Sequence, residues 1–204
     1  MRIAAGAAGA VAAIVLVGLA YAAVTGLSAR GEPGRLETAI ARAIRRLAIP
    51  GDARRLANPL PSTPAHVSDG LAHFADHCAA CHANDGSGDA EMGRNLFPPP
   101  PDMRLPVTQD LTDGELFYII EHGTRFTGMP GWGDGSPESQ EASWQLVHFI
   151  RRLPSLTGGE LERMKGLNPR PPDEIRRQIE EERFLAGESD AAPVTIEKAH
   201  GGHE

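Results

Sequence analysis

Both cysteines of this chain fall in one five-residue stretch, Cys78-Ala79-Ala80-Cys81-His82. Residues three apart are neighbours on a helix surface, so the two thiols sit on one helical turn and an imidazole follows directly. A zinc site would need two more Cys or His ligands at similar spacing, and no second pair stands elsewhere in the sequence. A thioredoxin-like redox pair would need a βαβ context, which the pattern does not offer. The spacing fits covalent attachment of a c-type haem. Each thiol adds to one of the two haem vinyl groups, which clamps the ring against one turn of chain. The next residue's imidazole can then reach the iron. Cys78 and Cys81 are therefore the expected attachment residues and His82 the expected axial ligand. With both thiols so used, no structural disulfide is left to form.

A second axial ligand must approach from the opposite side, where a helix would be in the way. Thr127-Gly128-Met129-Pro130-Gly131-Trp132 is a Gly/Pro-bounded loop between two expected helices, and Met129 lies 47 residues after His82. Met129 is the expected distal ligand. Met92 is close to the haem motif, Met103 adjoins a proline run, and Met164 follows the last helix of the domain. His122 is the alternative and would give bis-histidine ligation. Arg94, Arg104, Arg125 and Trp132 are candidates to pair with the haem propionates, since guanidinium groups bind carboxylates well. Arg125 and Trp132 are preferred because they flank the Met129 loop.

Helices must position these groups. Ser68 can cap a helix running through Gly70, Leu71, Phe74 and Ala75 into the cysteine motif. Asn84-Asp85-Gly86-Ser87-Gly88 is turn chemistry. Thr112-Asp113-Gly114-Glu115 is a capping box, and the helix after it carries Leu116, Phe117, Ile119 and Ile120 before ending at His122-Gly123. Ser136-Pro137-Glu138 starts another helix, with Ser136 at the N-cap and Pro137 at N1. That helix carries Trp144, Val147, His148 and Ile150 to Leu153, with Trp144 or His148 expected to meet Phe74 and Gly70. Residues 35–49 form an amphipathic pattern, with Leu36, Ile40, Ala43, Ile44 and Leu47 opposite Arg35, Arg42, Arg45 and Arg46. Pro50-Gly51 ends it, and Asn58 to Pro64 reads as a stiff linker. Beyond the last helix, Leu156 to Gly166 and Pro172 to Leu185 suit two further helices. His200 and His203 could bind a transition metal weakly on a flexible tail.

Over residues 66–154 the sequence resembles the class I c-type cytochromes. Gly70 and Phe74 stand eight and four residues before Cys78, where that family has a small residue and an aromatic. The resemblance implies that the first and last helices cross closely at Gly70. It also implies that His82 donates to a proline carbonyl from the run Phe97-Pro98-Pro99-Pro100-Pro101-Asp102, with Pro99 the selected acceptor. The fold so implied is all-α, a small helical domain around one covalently attached haem. The expected division is an anchor or signal peptide at 1–29, an amphipathic helix and linker at 30–65, the haem domain at 66–154, and a charged extension and tail at 155–204. The function implied is electron transfer to redox partner proteins rather than catalysis, since no substrate pocket or acid-base pair is evident. A fixed haem subunit of a larger respiratory oxidase or dehydrogenase is the alternative. A haem enzyme or gas sensor would need an open iron position.

Composition agrees. The net charge of −7 hides an asymmetry: residues 1–60 hold eight Arg and three acids, while residues 61–204 hold 12 Lys and Arg against 24 acids. An acidic functional part excludes phosphate-neutralising nucleic-acid binding and suits steering toward a basic partner. Ile3 to Ala29 is an uncharged run of 27 residues, and about 20 can cross a bilayer. An uncleaved transmembrane anchor is expected, with Ala20-Tyr21-Ala22 as a competing cleavage pattern. Either places the haem domain on the extracytoplasmic side of a bacterial inner membrane. The Arg-rich flank after the run argues the other way, but haem attachment outside the cytoplasm decides the orientation.

Overall fold

The computed structural model describes residues 2–26, 28–29, 31, 33–170 and 172–187. The described residues contain helices and turns and no strand. In chain order the helices are α1 (Arg2–Thr25), α2 (Arg35–Ala48), α3 (Pro64–His73), α4 (Ala79–His82), α5 (Pro106–Gln109), α6 (Asp113–His122), α7 (Pro137–Arg152), α8 (Gly158–Leu167) and α9 (Pro172–Leu185).

The helix into the cysteine motif starts earlier than Ser68. Thr63 is its N-cap: its side chain accepts from the His66 N–H at 3.2 Å, and Pro64 occupies N1. Proline at N1 loses no hydrogen bond, so the start moves back to the linker's last proline, and Ser68 lies one turn inside. Between α3 and α4 the helix widens into a π-turn, Phe74–Cys78. Such single-turn bulges rotate the residues that follow and cluster at functional sites. Here the bulge sits directly before Ala79–His82.

α3 and α7 cross at Gly70. A Cβ there would lie 2.7 Å from the Gln145 carbonyl carbon and 3.0 Å from Phe149 Cβ, so only glycine permits the approach. Phe74, 1% exposed, packs on Phe149 with ring centroids 5.1 Å apart. The partners of Gly70 and Phe74 are therefore Gln145 and Phe149, not Trp144 or His148. The helical period gives the reason, because one residue is 100° of rotation. Trp144 turns toward α6 and stacks on Phe117 at 4.0 Å. His148 turns toward the preceding linker, its Nε2 hydrogen-bonded to the Leu60 carbonyl at 3.0 Å. Full burial of Leu71, Phe74 and Phe149 is worth about 1.5–3 kcal/mol each, so this crossing is a principal source of stability.

The segment before α3 is packed rather than free. Asn58 Nδ2 donates to the Trp144 carbonyl at 2.9 Å while its Oδ1 accepts from Leu60 N–H at 3.0 Å. The turn Ala53–Arg55 meets the capping box of α6, where Thr112 Oγ1 donates to the Arg54 carbonyl at 3.0 Å. Packing also runs past residue 154. Met164 of α8 is completely buried in the core. Arg152 pairs with Glu160 at 3.0 Å and holds that carboxyl down at about 2. α9 covers Pro172 to Leu185, as the sequence suggests. His200 and His203 lie outside the described residues.

The spanning helix expected at the N-terminus is not borne out. Among the described residues no helix is long and apolar enough to cross a membrane. The described side chains of α1 lie mainly between Val11 and Val24. Those side chains are nonetheless strongly apolar and exposed, Ile14, Leu16, Val17 and Leu19 among them. α2 is amphipathic as expected but inverted relative to a soluble helix. Leu36, Ile40, Ile44 and Leu47 point outward and are exposed, while Arg45 turns in, its Nη2 donating to the Val107 carbonyl of α5 at 3.4 Å.

Candidate functional site

A cavity of about 470 Å³ opens between the π-turn, α4, the proline run, α6 and α7, with α2 along one side. Six of the seven residues predicted to hold haem converge on it, Arg125 being the exception. Cys78, Cys81 and His82 form part of its wall, and Met129, Pro99 and Trp132 line it too. Phe74, Leu116, Ile120, Leu146 and Ile150 make the rest of that wall largely apolar.

The two cysteines form no disulfide with each other. Burial, with Cys81 beside it, pushes the Cys78 thiol up to about 12, and burial raises Cys81 as well. Burial pushes His82 down to about 4, which keeps its imidazole in the neutral form that ligates metals. The hydrogen bond expected from His82 to a proline carbonyl is not formed: Nδ1 is buried with no partner. Pro99 reaches the cavity wall, but His82 is fixed through its backbone instead, its carbonyl accepting from Gly88 N–H at 2.9 Å. A buried imidazole nitrogen left without a partner costs about 1–3 kcal/mol, so this ring is not a satisfied core histidine.

Met129 is held by its loop. Its N–H donates to Thr127 Oγ1 at 3.1 Å, that hydroxyl donates to the Thr124 carbonyl at 2.7 Å, and Thr124 N–H returns to the Met129 carbonyl at 3.0 Å. The loop is pinned to the end of α6 where Trp132 N–H donates to the Ile120 carbonyl at 2.9 Å. At the hinge, Gly123 has φ +66°, and a Cβ there would come within 2.5 Å of Gly131 N. Phe126, also at positive φ, stands at the loop's tip 93% exposed.

Three of the four alternatives to Met129 lie off the cavity. His122 is off the cavity wall and stacks on Tyr118 at 4.3 Å. Met92 is 57% exposed and Met164 is in the core beneath α8. Met103 does line the cavity, but its N–H donates to Gly86 at 2.8 Å, which ties it to the loop directly after His82.

The arginines fall differently from the expectation. Arg125 is exposed and lies off the cavity wall. Arg94 pairs with Asp89 at 2.6 Å, and Arg104 pairs with Asp85 at 2.7 Å and Asp102 at 2.8 Å. Sequence reasoning missed two wall residues. Arg45 comes from α2, 33 residues before the first cysteine, and no local pattern singles it out among the arginines of that helix. His77 precedes Cys78 and meets Trp132 edge-on at 5.5 Å; its place next to the motif was the available signal.

Two thiols and a neutral imidazole on one mainly apolar wall are the donor set that covalent haem requires, and the Met129 thioether belongs to the same wall. The family model described as cytochrome c oxidase, cbb3-type, subunit III matches residues 65–150. Residues 65–150 form a class I c-type cytochrome domain. Such a domain carries electrons through covalently attached haem, and the match supports haem-based electron transfer for residues 65–150. The matched span of the cytochrome domain begins at the first turn of α3 and ends inside α7. It therefore contains the Gly70 crossing, the motif and the Met129 loop, and it leaves out α1, α2, α8 and α9.

Proposed function

We propose that the chain carries one electron at a time through a single haem c, which Cys78 and Cys81 would hold covalently and whose iron His82 and Met129 would ligate. When bound, the haem supplies the one-electron Fe(III)/Fe(II) couple. The chain's own residues do the rest. The cysteines would fix the ring's position, His82 and Met129 would hold its iron, and the apolar wall would exclude water. Thioether ligation and burial both favour the reduced state and raise the potential. The observation that carries this reading is the convergence of Cys78, Cys81, His82 and Met129 on one cavity. Trp132 and Pro99 belong to that wall, and Arg125 is better read as a surface residue beside the Met129 loop. Intact-mass measurement of the full chain, made in a host that attaches haem, tests the reading. The expected mass exceeds that of the polypeptide by one haem, and Cys78→Ser with Cys81→Ser removes the increment. An unmodified wild-type mass, or two haems, refutes it.

We further propose that the chain works at the outer face of a bacterial membrane as part of, or donor to, a respiratory oxidase complex. The family description supports the complex. The exposed apolar residues of α1 and the outward face of α2 support the membrane. They supply two adjacent apolar surfaces with an arginine-rich flank, the composition that interfacial helices use. Vesicle flotation checks this. The full chain is expected to float with vesicles, and Leu36→Asp with Ile40→Asp to weaken flotation several-fold. A wild-type chain that stays at the bottom of the gradient contradicts it.

A further inference from the structure

We propose that Arg45 binds a haem propionate, and that α2 is thereby a clasp closing the cavity from outside the matched cytochrome span. The proposal rests on the reading that this cavity holds haem. α2 contributes Glu37, Thr38, Ala41, Arg42 and Arg45 to the cavity wall, although residues 35–48 precede the family match altogether; the Glu37 carboxylate, two helical turns from Arg45, accepts from the Gly34 N–H at 3.3 Å. The Arg45 Nε is buried without a hydrogen-bond partner, and the contact its guanidinium does make, to Val107 at 3.4 Å, is long. The charged groups facing it are Arg42 and Arg46 on its own helix and Glu115 from α6; burial and the two arginines lower its pKa, while Glu115 raises it. Glu115 is already engaged, accepting from the Thr112 N–H at 2.8 Å and lying 4.0 Å from Arg54. A guanidinium is a planar fork of donors matched to a carboxylate, and a buried donor left unpaired is costly. The arginine therefore lacks an anion on the cavity side, and the carboxylates that the cavity's cofactor brings are the propionates. This also accounts for the inversion of α2. With Arg45 turned inward, Leu36, Ile40, Ile44 and Leu47 face out.

A cation at the propionate stabilises Fe(II) over Fe(III). The test uses the full, haem-bearing chain, with spectroelectrochemical titration and hydrogen exchange of the 35–48 amides. Arg45→Gln is expected to lower the Fe(II)/Fe(III) ratio at fixed ambient potential about tenfold, 59 mV for one electron, and to speed exchange across α2. Arg46→Gln removes the same charge from an exposed position of the same helix and is expected to move neither. Should Arg45→Gln not fold, Arg45→Lys carries the test, since an ammonium lacks the two-point fork; faster α2 exchange supports the proposal and unchanged exchange overturns it. Haem-bearing Arg45→Gln that matches Arg46→Gln in both readouts overturns the clasp and leaves the cavity reading intact. A wild-type chain without covalent haem refutes the cavity reading itself.

Discussion

Gly70→Ala is expected to lower the stability of the cytochrome domain by about 3 kcal/mol, a fall in Tm of roughly 12–24 °C for a domain of this size. The added methyl group would press on the Gln145 carbonyl, which is helix backbone and cannot rotate away. Relief requires α3 and α7 to separate, which opens the contact between Phe74 and Phe149. Because the π-turn and α4 continue directly from α3, the same shift displaces Cys78 and His82, so haem attachment should fall along with stability. Gly166→Ala is the control. It lies in α8 with nothing within 4 Å of its Cβ position, and it should be neutral or stabilising by up to about 1 kcal/mol. Thermal unfolding of both variants decides the matter. Equal Tm values for the two would remove the crossing from the account.

Met129→Ala is the second large effect. The substitution takes the thioether from the cavity wall and leaves the loop's own hydrogen bonds, which run through Thr124, Thr127 and backbone atoms, in place. The fold should therefore survive while the distal position opens. The expected result is a reduced protein that takes up carbon monoxide, together with a lower potential, since the ligand that favours Fe(II) is gone. Met103→Leu, a volume-conserving change on the same wall, should leave the spectrum alone. If Met103→Leu opens the iron and Met129→Ala does not, the ligand assignment is reversed.

Much of this was legible because the signals are local. The capping box at Thr112 and Glu115, the Ser136-Pro137 start and the ends of α9 all appear where the sequence puts them. Each rests on contacts within four residues. The cysteine motif is legible for the same reason. The failures concern distant contacts. The crossing at Gly70 was expected, but its partners were displaced by one residue, because apolar periodicity tolerates a 100° error that side-chain contact does not. Ser68 has the residue type of a cap, but Thr63, ahead of a proline, is the better one. Arg45 could not be found at all, since its role depends on α2 folding back over a cavity whose other walls lie between residues 74 and 150. The inversion of α2 was also hidden. A helical pattern shows that two faces differ and does not show which one the domain takes.

The central claim is a covalent haem closed on both axial sides by His82 and Met129. Exposure of the reduced, full-length wild-type protein to carbon monoxide at neutral pH tests it most directly. The account predicts a visible spectrum that does not change. Rapid, stoichiometric carbon monoxide binding would contradict it and would turn the cavity from an electron-transfer site into an open one.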